Sequence, residues 1–241
     1  MNLALRIDDI GASSKQYEVH SKSRLRNIWF LKSPRLFGSW GPYQELTIEQ
    51  WKEIFDILRK FNAKLTVAVT AGWVEKDNSI IPFPEKFPAQ ASVLKEALKE
   101  GLVEIANHGL THSVVGRHLP KLFGSNREYH REFWPWLDER VHYEHMEKSQ
   151  KILQAYFQTP VTILVPPGNV FSDATVKAAE QFGINLINCH IEKERQYSVR
   201  ILDNDNVFAF HDRELVIYGI GWLRERLERR NGAEYCFVSE L

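Results

Sequence analysis

The chain opens on Leu3-Ala4-Leu5-Arg6-Ile7-Asp8-Asp9, a short strand-like run that leads directly into two aspartates. Another strand-like run, residues 102–106, is followed closely by His108 and His112. Two imidazoles four residues apart can lie on one face and bind a single cation. A carboxylate at the end of a neighbouring strand would complete such a set. The two stretches together predict a metal site and indicate a metal-dependent hydrolase.

Strand-like and helix-like segments alternate along the rest of the chain. Further strands are predicted at residues 64–70, 161–165, 184–188, 206–210 and 235–238, and helices at 48–61, 90–100, 142–157, 172–181 and 213–229. Thr47 and Ser172 are the predicted N-caps of two of these helices. This alternation predicts a parallel α/β sheet, either open or closed into a barrel.

Polar residues that can do chemistry follow several of the predicted strands. They are Asp8, Asp9, His108, the turn at 166–169, His190 and His211. Parallel strands point in one direction, and the active sites of parallel α/β folds lie beyond the carboxyl ends of the strands. We therefore expect these side chains to converge on one rim of the sheet.

Composition and charge narrow the class of protein. The 241 residues carry 31 basic and 31 acidic side chains, which predicts no bulk binding to nucleic acid. No apolar run is long enough for a membrane span and no leader-like segment precedes the first strand, so we expect a cytoplasmic protein. The two cysteines predict no disulfide framework. We expect one catalytic domain over residues 1–241, with aromatic-rich excursions at 12–46 and 113–141, in an oligomeric state that stays open.

In order and rough spacing, these motifs resemble those of the polysaccharide deacetylases, the NodB-homology carbohydrate esterases. The first motif of that family resembles Asp8-Asp9, and the second, two histidines separated by three residues, resembles His108 and His112. A proline-containing motif is similar to Pro166-Pro167-Gly168-Asn169, and a final histidine after a late strand is similar to His211. The resemblance extends over nearly the whole chain and implies a distorted parallel (β/α) barrel of about seven strands.

The resemblance also implies roles for individual residues. Asp9, His108 and His112 would bind a divalent metal, with Zn²⁺ expected first and Co²⁺, Ni²⁺ or Fe²⁺ as alternatives. Asp8 would be the general base and His211 the general acid. The substrate-binding residues would be Pro167, Gly168 and Asn169 of the turn, together with Trp40 and Trp134 of the two excursions.

Two features depart from the family pattern. The family usually carries an arginine before the prolines of its third motif, where it orients the catalytic base, and this chain has Val165 there. The motif that tunes the acid histidine is not clearly present either. A hydrolase of small amides or cyclic imides, or a catalytically degenerate relative that binds carbohydrate, therefore stays an alternative.

The expected function is the removal of an acetyl group from an N-acetylated or O-acetylated sugar. Because a cytoplasmic protein would not reach extracellular polymers, the expected substrate is a nucleotide- or lipid-linked precursor in surface-polysaccharide or O-antigen biosynthesis. The remaining histidines receive structural interpretations. His190 is expected at the periphery of the rim, and His142 and His145 are expected on a solvated helix face.

Overall fold

A computed structural model describes residues 2–17, 45–115, 131–190, 199–230 and 232–241 of the chain. Its ten strands are β1 (Asn2–Ile10), β2 (Leu65–Val69), β3 (Gly72–Val74), β4 (Ile80–Pro82), β5 (Val103–Asn107), β6 (Ile163–Leu164), β7 (Leu186–Asn188), β8 (Arg200–Leu202), β9 (Val207–His211) and β10 (Glu234–Cys236). Eight of them form one parallel sheet, and β3 and β4 form a separate antiparallel hairpin.

The parallel sheet has the strand order β10-β1-β2-β5-β6-β7-β8, and β9 pairs with β1 as well. It curls into a half-barrel, which confirms the expected α/β fold with a barrel-like sheet of about seven strands. The β1–β9 register places Asp8 opposite His211, and the β2–β5 register places Val69 opposite Asn107. The carboxyl ends of these strands therefore meet at one rim, as the sequence predicts.

Among the described residues, seven α-helices connect and cover the strands: α1 (Ile48–Lys60), α2 (Phe83–Lys86), α3 (Pro88–Lys99), α4 (Glu139–Phe157), α5 (Asp173–Gln181), α6 (Asp212–Tyr218) and α7 (Gly221–Glu228). The predicted cap of α1 is confirmed, since Thr47 and Gln50 exchange hydrogen bonds between side chain and backbone. Ser172 caps α5 in the same way. Capping satisfies amide groups that the first helical turn leaves without partners.

The two faces of β1 point into different environments because successive side chains of a strand alternate. Leu5 and Ile7 join the large apolar cluster that contains Trp51 and Ile54 of α1. Ala4 belongs instead to a cluster of mostly small residues on the inner face of the curled sheet. Arg6 and Asp8 follow Ala4 by two and four positions, so their side chains lie on the same inner face, directly below the rim.

Several details differ from the sequence-based predictions, among them the short helix α2, which was not predicted. The helix expected over residues 213–229 is two helices, α6 and α7, because Gly219 has a φ of +80°, which an L side chain rarely adopts. The hairpin of β3 and β4 and the short strand β8 were not predicted.

Both cysteines are free thiols, in agreement with the prediction. Within the described part of the chain, no helix has the length and apolarity to cross a membrane.

Candidate active site

Asp9, His108 and His112 lie together at the carboxyl ends of β1 and β5. The Oδ1 atom of Asp9 is 3.1 Å from Nε2 of His108 and 3.0 Å from Nε2 of His112. One donor atom from each residue lies within 4.8 Å of the others. Both imidazoles are buried, whereas the Asp9 side chain retains 18% exposure at the rim. The structure thus brings together the three residues that the sequence predicts as metal ligands.

The two histidines are oriented by partners at their second ring nitrogen. Nδ1 of His108 lies 2.6 Å from the carbonyl oxygen of Val165, so it is the protonated nitrogen and Nε2 keeps its lone pair toward Asp9. Nδ1 of His112 lies 2.8 Å from Oγ of Ser14. Burial lowers the pKa of His112 to about 4 with help from the charge of Arg131, although Asp9 opposes the shift. His112 is therefore neutral at pH 7, the form that binds metals.

The backbone at the cluster is unusual. Asp9 and His112 have φ values of +69° and +62°, and Asn169 in the neighbouring turn has +60°. A positive φ is costly for a residue with a side chain and is kept where the surrounding contacts require it. At Asp9 and His112 it occurs at the two residues whose carboxylate and imidazole must meet, which is the pattern expected of a functional site.

A buried carboxylate that the sequence did not reveal holds the histidine-bearing loop in place. Glu132 accepts hydrogen bonds from the backbone N–H groups of Leu110 (2.7 Å), Thr111 (3.1 Å) and His112 (2.9 Å). A Cβ atom at Gly109 would lie 2.1 Å from Oε2 of Glu132, so the close approach of the carboxylate requires glycine there. Burial alone would raise the pKa of Glu132, but His145 and the amides of Leu110 and Thr111 outweigh it and lower the pKa.

Asp8 faces the inside of the curled sheet and is paired with Arg6. Nε and Nη2 of Arg6 donate to Oδ1 and Oδ2 of Asp8, each at 2.8 Å. Arg6 also donates to the side chains of Asn188 and, at 3.1 Å, Asn204. Asp8 and Arg6 are both buried, with 6% and 2% exposure.

His211 stands beside Asp8 on the adjacent strand β9. Its Nδ1 lies 3.4 Å from Oε2 of Glu214, and the same carboxylate accepts the backbone N–H of His211 at 2.8 Å. Burial opposes protonation, but Asp9, Glu214 and Asp8 together raise the pKa of His211 to about 9. His211 is therefore a cation at neutral pH and keeps 39% of its side chain exposed. Glu214 supplies the partner for this histidine that the sequence motifs did not reveal.

The turn that contains Pro167, Gly168 and Asn169 lies against this cluster. The residue before it, Val165, bonds His108 through its carbonyl, and Arg131 packs directly against Gly168. Nη1 of Arg131 lies 3.2 Å from both ring nitrogens of His112, so the guanidinium connects the turn with the histidine cluster.

The two predicted tryptophans have different outcomes. Trp134 is half-buried in the segment that follows Glu132, and its carbonyl accepts the N–H of Leu137 at 3.0 Å. Its predicted role in substrate binding stays a prediction. Trp40 lies outside the described residues, as does most of the excursion that contains it.

The interpretation of His142 and His145 as a solvated helix face was wrong. His142 is fully buried, stacks on Phe133 and contacts Thr175. His145 bonds Glu132 through Nδ1 at 2.6 Å. His190 is 65% exposed, with Nδ1 3.5 Å from Asp203, in keeping with its expected peripheral position.

The donor set of the cluster fits a divalent metal. Ligand atoms about 2.0–2.1 Å from a tetrahedral Zn²⁺ would lie about 3.3 Å from one another. The two separations from Asp9 Oδ1, 3.0 and 3.1 Å, are close to that value. Two neutral imidazole nitrogens and one carboxylate oxygen suit zinc and the neighbouring first-row metals, and leave a coordination position for substrate or water.

Fold and site together define a parallel α/β protein with a cluster of one carboxylate and two histidines at its strand ends. The family model of the polysaccharide deacetylases matches residues 41–187, more than half of the chain, and the chain belongs to this family. The matched region contains His108, His112 and the turn at 166–169, whereas the aspartate pair and His211 lie outside it. No curated protein sequence matches the chain.

Solved structures of similar fold include members of the CE4 deacetylase family. A CE4-family pseudoenzyme from Bacillus anthracis has a TM-score of 0.50 at 16% identity, with 80% of this chain and 60% of that chain covered. A mutant of it with restored enzymatic activity has a TM-score of 0.51 at 17% identity, with 80% and 62% covered. A protein from Mycobacterium smegmatis assigned to the polysaccharide deacetylases has a TM-score of 0.51 at 12% identity, with 80% and 75% covered.

At these identities the likeness shows the fold alone. The chain spans less than two thirds of the length of the first two of these structures.

Proposed function

We propose that this chain is a metal-dependent hydrolase that removes an acetyl group from an N-acetylated or O-acetylated sugar. The observation that carries the proposal is the convergence on one rim of a carboxylate–dihistidine cluster, a buried aspartate and a protonated histidine. These are Asp9, His108 and His112 as the proposed metal ligands, Asp8 as the proposed general base and His211 as the proposed general acid. Membership of the polysaccharide deacetylase family supports the same class of reaction.

In the proposed mechanism, Asp8 and His211 each carry out one proton transfer. A divalent cation at the cluster would polarise the acyl carbonyl and lower the pKa of the attacking water. Asp8, adjacent in sequence to Asp9, accepts a proton from that water as its oxygen bonds to the acyl carbon. His211 donates its proton to the leaving nitrogen or oxygen as the C–N or C–O bond breaks. The products are acetate and the sugar amine or alcohol.

One backbone group of the proline-containing turn is the proposed oxyanion donor. Pro167 has no N–H, and the N–H of Asn169 donates to the carbonyl of Pro166 at 3.0 Å within the turn. Among these three residues, we therefore assign the backbone N–H of Gly168 as the donor that stabilises the negative charge developing on the acyl oxygen.

We further propose that the sugar is part of an anionic precursor of a surface polysaccharide or O-antigen, linked to a nucleotide or a lipid pyrophosphate. Arg131 supports this choice because it places a permanent positive charge beside His112 and Gly168. A guanidinium binds phosphate oxygens with charge-assisted hydrogen bonds. A neutral glycan would gain less from such a group.

Acetate release by the purified, zinc-loaded protein tests the proposal. The panel comprises a nucleotide-linked N-acetylhexosamine, a lipid-pyrophosphate-linked one, an uncharged N-acetylated oligosaccharide, an O-acetylated oligosaccharide and a small cyclic imide. We expect release from the phosphate-linked sugars, and loss of release in Asp8→Asn with zinc binding retained. Asp77→Asn, an exposed aspartate in the β3–β4 turn, is the matched control and should keep full activity.

Other outcomes of the same panel would contradict the proposal. Turnover of the cyclic imide without turnover of any sugar would identify a hydrolase of small amides. A protein that binds neither Zn²⁺, Co²⁺ nor Ni²⁺ and releases no acetate would be a carbohydrate-binding relative. Full activity of Asp8→Asn would remove Asp8 from the role of base.

A further inference from the structure

We infer that Arg6 is the residue that positions Asp8 for proton transfer, and that it does so from the same strand that carries the base. The inference rests on the proposed function, because Asp8 has no proton to accept unless a hydrolytic reaction occurs at this rim. Arg6 is a positioning residue and not a catalytic one, since it acts on Asp8 and not on the substrate.

The contact between the two side chains fixes the plane of the carboxylate. Two parallel N–H donors of one rigid guanidinium reach the two oxygens of Asp8, each at 2.8 Å. A bidentate pair of this kind sets both the position and the rotation of a carboxylate, which a single ammonium donor cannot do. Each carboxylate oxygen still has a second lone pair, so Asp8 can accept a proton while it stays bound to Arg6.

The guanidinium is itself held from the other side of the curled sheet. Its Nη1 donates to Asn188, at the end of β7, and to Oδ1 of Asn204 at 3.1 Å. Nδ2 of Asn188 donates to the same Oδ1 of Asn204 at 3.1 Å and to the carbonyl of Leu202 at 3.0 Å. Both asparagines are neutral, so Asp8 provides the negative charge that faces Arg6 in this contact set. The guanidinium of Arg6 is therefore held in place by the two asparagines and faces one charged partner, Asp8.

The position before the prolines cannot perform this task in the present chain. The Val165 side chain is buried in the apolar inner cluster with Ala4 and Ile163, and the carbonyl of Val165 orients His108. Arg6 places a guanidinium on the inner face of the same sheet, but from β1. We therefore expect Arg6 to take the role that the family gives to the arginine before the prolines, and the chain to be an active enzyme.

Steady-state kinetics of Arg6→Lys tests the inference. The substitution keeps the positive charge and removes the bidentate geometry, so we expect kcat to fall about 10²-fold, the cost of a misplaced catalytic group. KM and zinc affinity should change by no more than about twofold, because the substitution affects the chemical step alone. Thr66→Val is the matched control: Thr66 is buried opposite Arg6 on β2, and its loss removes a hydrogen bond to Glu104, so the substitution should reduce stability without lowering kcat.

Arg6→Gln, which also removes the charge, should lower kcat further, and the lysine variant keeps the test informative if the glutamine variant does not fold. Wild-type kcat in Arg6→Lys would overturn the inference, as would equal losses of kcat and zinc affinity. If the wild-type protein releases no acetate from any substrate, the proposed function fails instead. Crystal structures of zinc-loaded wild type and Arg6→Lys then decide, because an unchanged Asp8 carboxylate orientation in the variant would overturn the inference and a rotated one would support it.

Discussion

At the scale of single residues, His211 has the surroundings that a general acid needs. The carboxylates of Asp9, Glu214 and Asp8 raise its pKa to about 9 against the effect of burial, so the protonated form dominates at neutral pH. An acid must be protonated to act, and we therefore predict that kcat/KM falls as the pH rises through about 9. His211→Gln should reduce the rate by about 10²–10⁴-fold and abolish that decline.

His190→Gln is the control for this prediction. His190 belongs to the same rim but is largely exposed and faces Asp203, so its removal should leave both the rate and the pH profile unchanged. A pH–rate profile of His211→Gln that keeps the alkaline decline would assign the limb to another group and exclude His211 as the acid.

Residues around the site differ in how far the sequence reveals them. Arg6 precedes Asp8 by two positions in a strand, and the alternation of strand side chains already places the two on one face. Glu214 follows His211 by three positions at a helix start, which is the spacing of a capping box. Both contacts were therefore predictable. Glu132 was not, because it lies 20 residues beyond His112 in an aperiodic stretch and contacts the loop only through backbone amides.

At the scale of structural elements, the loop between β5 and Ser113 depends on one carboxylate. The two carboxylate oxygens of Glu132 accept hydrogen bonds from three consecutive backbone N–H groups of that loop. Glu132→Gln replaces one of these oxygens with an NH2 group, which cannot accept, so the side chain can no longer bond all three N–H groups. We predict a loss of about 1–3 kcal/mol in the free energy of unfolding, the cost of leaving buried amides unpaired. Zinc affinity should fall about 10–100-fold because His112 loses its support. Calorimetric zinc titration and chemical denaturation measure the two effects.

Glu104→Gln is the control that separates the loss of stability from the loss of zinc affinity. Glu104 is also a partly buried carboxylate with hydrogen bonds to Thr66 and Ser239, but those partners lie near the amino end of β2 and in the C-terminal segment. Its substitution should lower stability and leave zinc affinity unchanged. Equal zinc affinity in Glu132→Gln and Glu104→Gln would show that the hydrogen bonds of Glu132 do not support the loop that carries His112.

The same carboxylate links the loop to helix α4 through His145. Burial would lower the pKa of His145, but the hydrogen bond and charge of Glu132 outweigh it and raise the pKa. The folded state therefore binds the His145 proton more tightly than the unfolded chain does. The resulting stabilisation is complete below the unfolded pKa of about 6.5 and is lost as the pH rises through the raised folded value.

We predict that the wild-type free energy of unfolding falls with pH in this window more steeply than that of His145→Gln. Denaturant unfolding of both proteins at a series of pH values from 6 to about 9 measures the difference, in the range where a histidine loses its proton. Parallel pH profiles for the two proteins would show that the ion pair of His145 with Glu132 adds no pH-dependent stability.

At the scale of the whole molecule, hydrophobic periodicity and strand-end chemistry predicted the architecture. Long elements such as α1 and α4 were recovered, because one face of each helix is buried and the buried positions recur with helical spacing. The short strands β6, β7 and β10 were predicted as well, whereas β8 was not, because its place in the sheet is set by pairing with β7. The division between α6 and α7 depends on the backbone conformation of one glycine, and the predicted helix passed over it.

The proposed metal site joins elements that are distant in sequence, and its occupancy should therefore affect the stability of the whole fold. Asp9 ends β1, while His108 and His112 follow β5, and β2 lies between these strands in the sheet. A metal that binds only the folded state at about 100 times its Kd adds about 2.7 kcal/mol to the free energy of unfolding. For a chain of this size that corresponds to a rise in Tm of about 5–10 °C. We predict a rise of this size on addition of Zn²⁺ and its reversal by a chelator.

The two adjacent aspartates provide the contrast that makes this measurement specific. Asp9→Asn removes a ligand and should abolish the zinc-induced rise in Tm, whereas Asp8→Asn removes only the base and should retain it. Because the two substitutions are chemically identical and one residue apart, a general effect of lost charge would change both responses alike. A zinc-induced rise that survives in Asp9→Asn would place the metal elsewhere, and loss of the rise in Asp8→Asn would make Asp8 a ligand and leave the proposed reaction without its base.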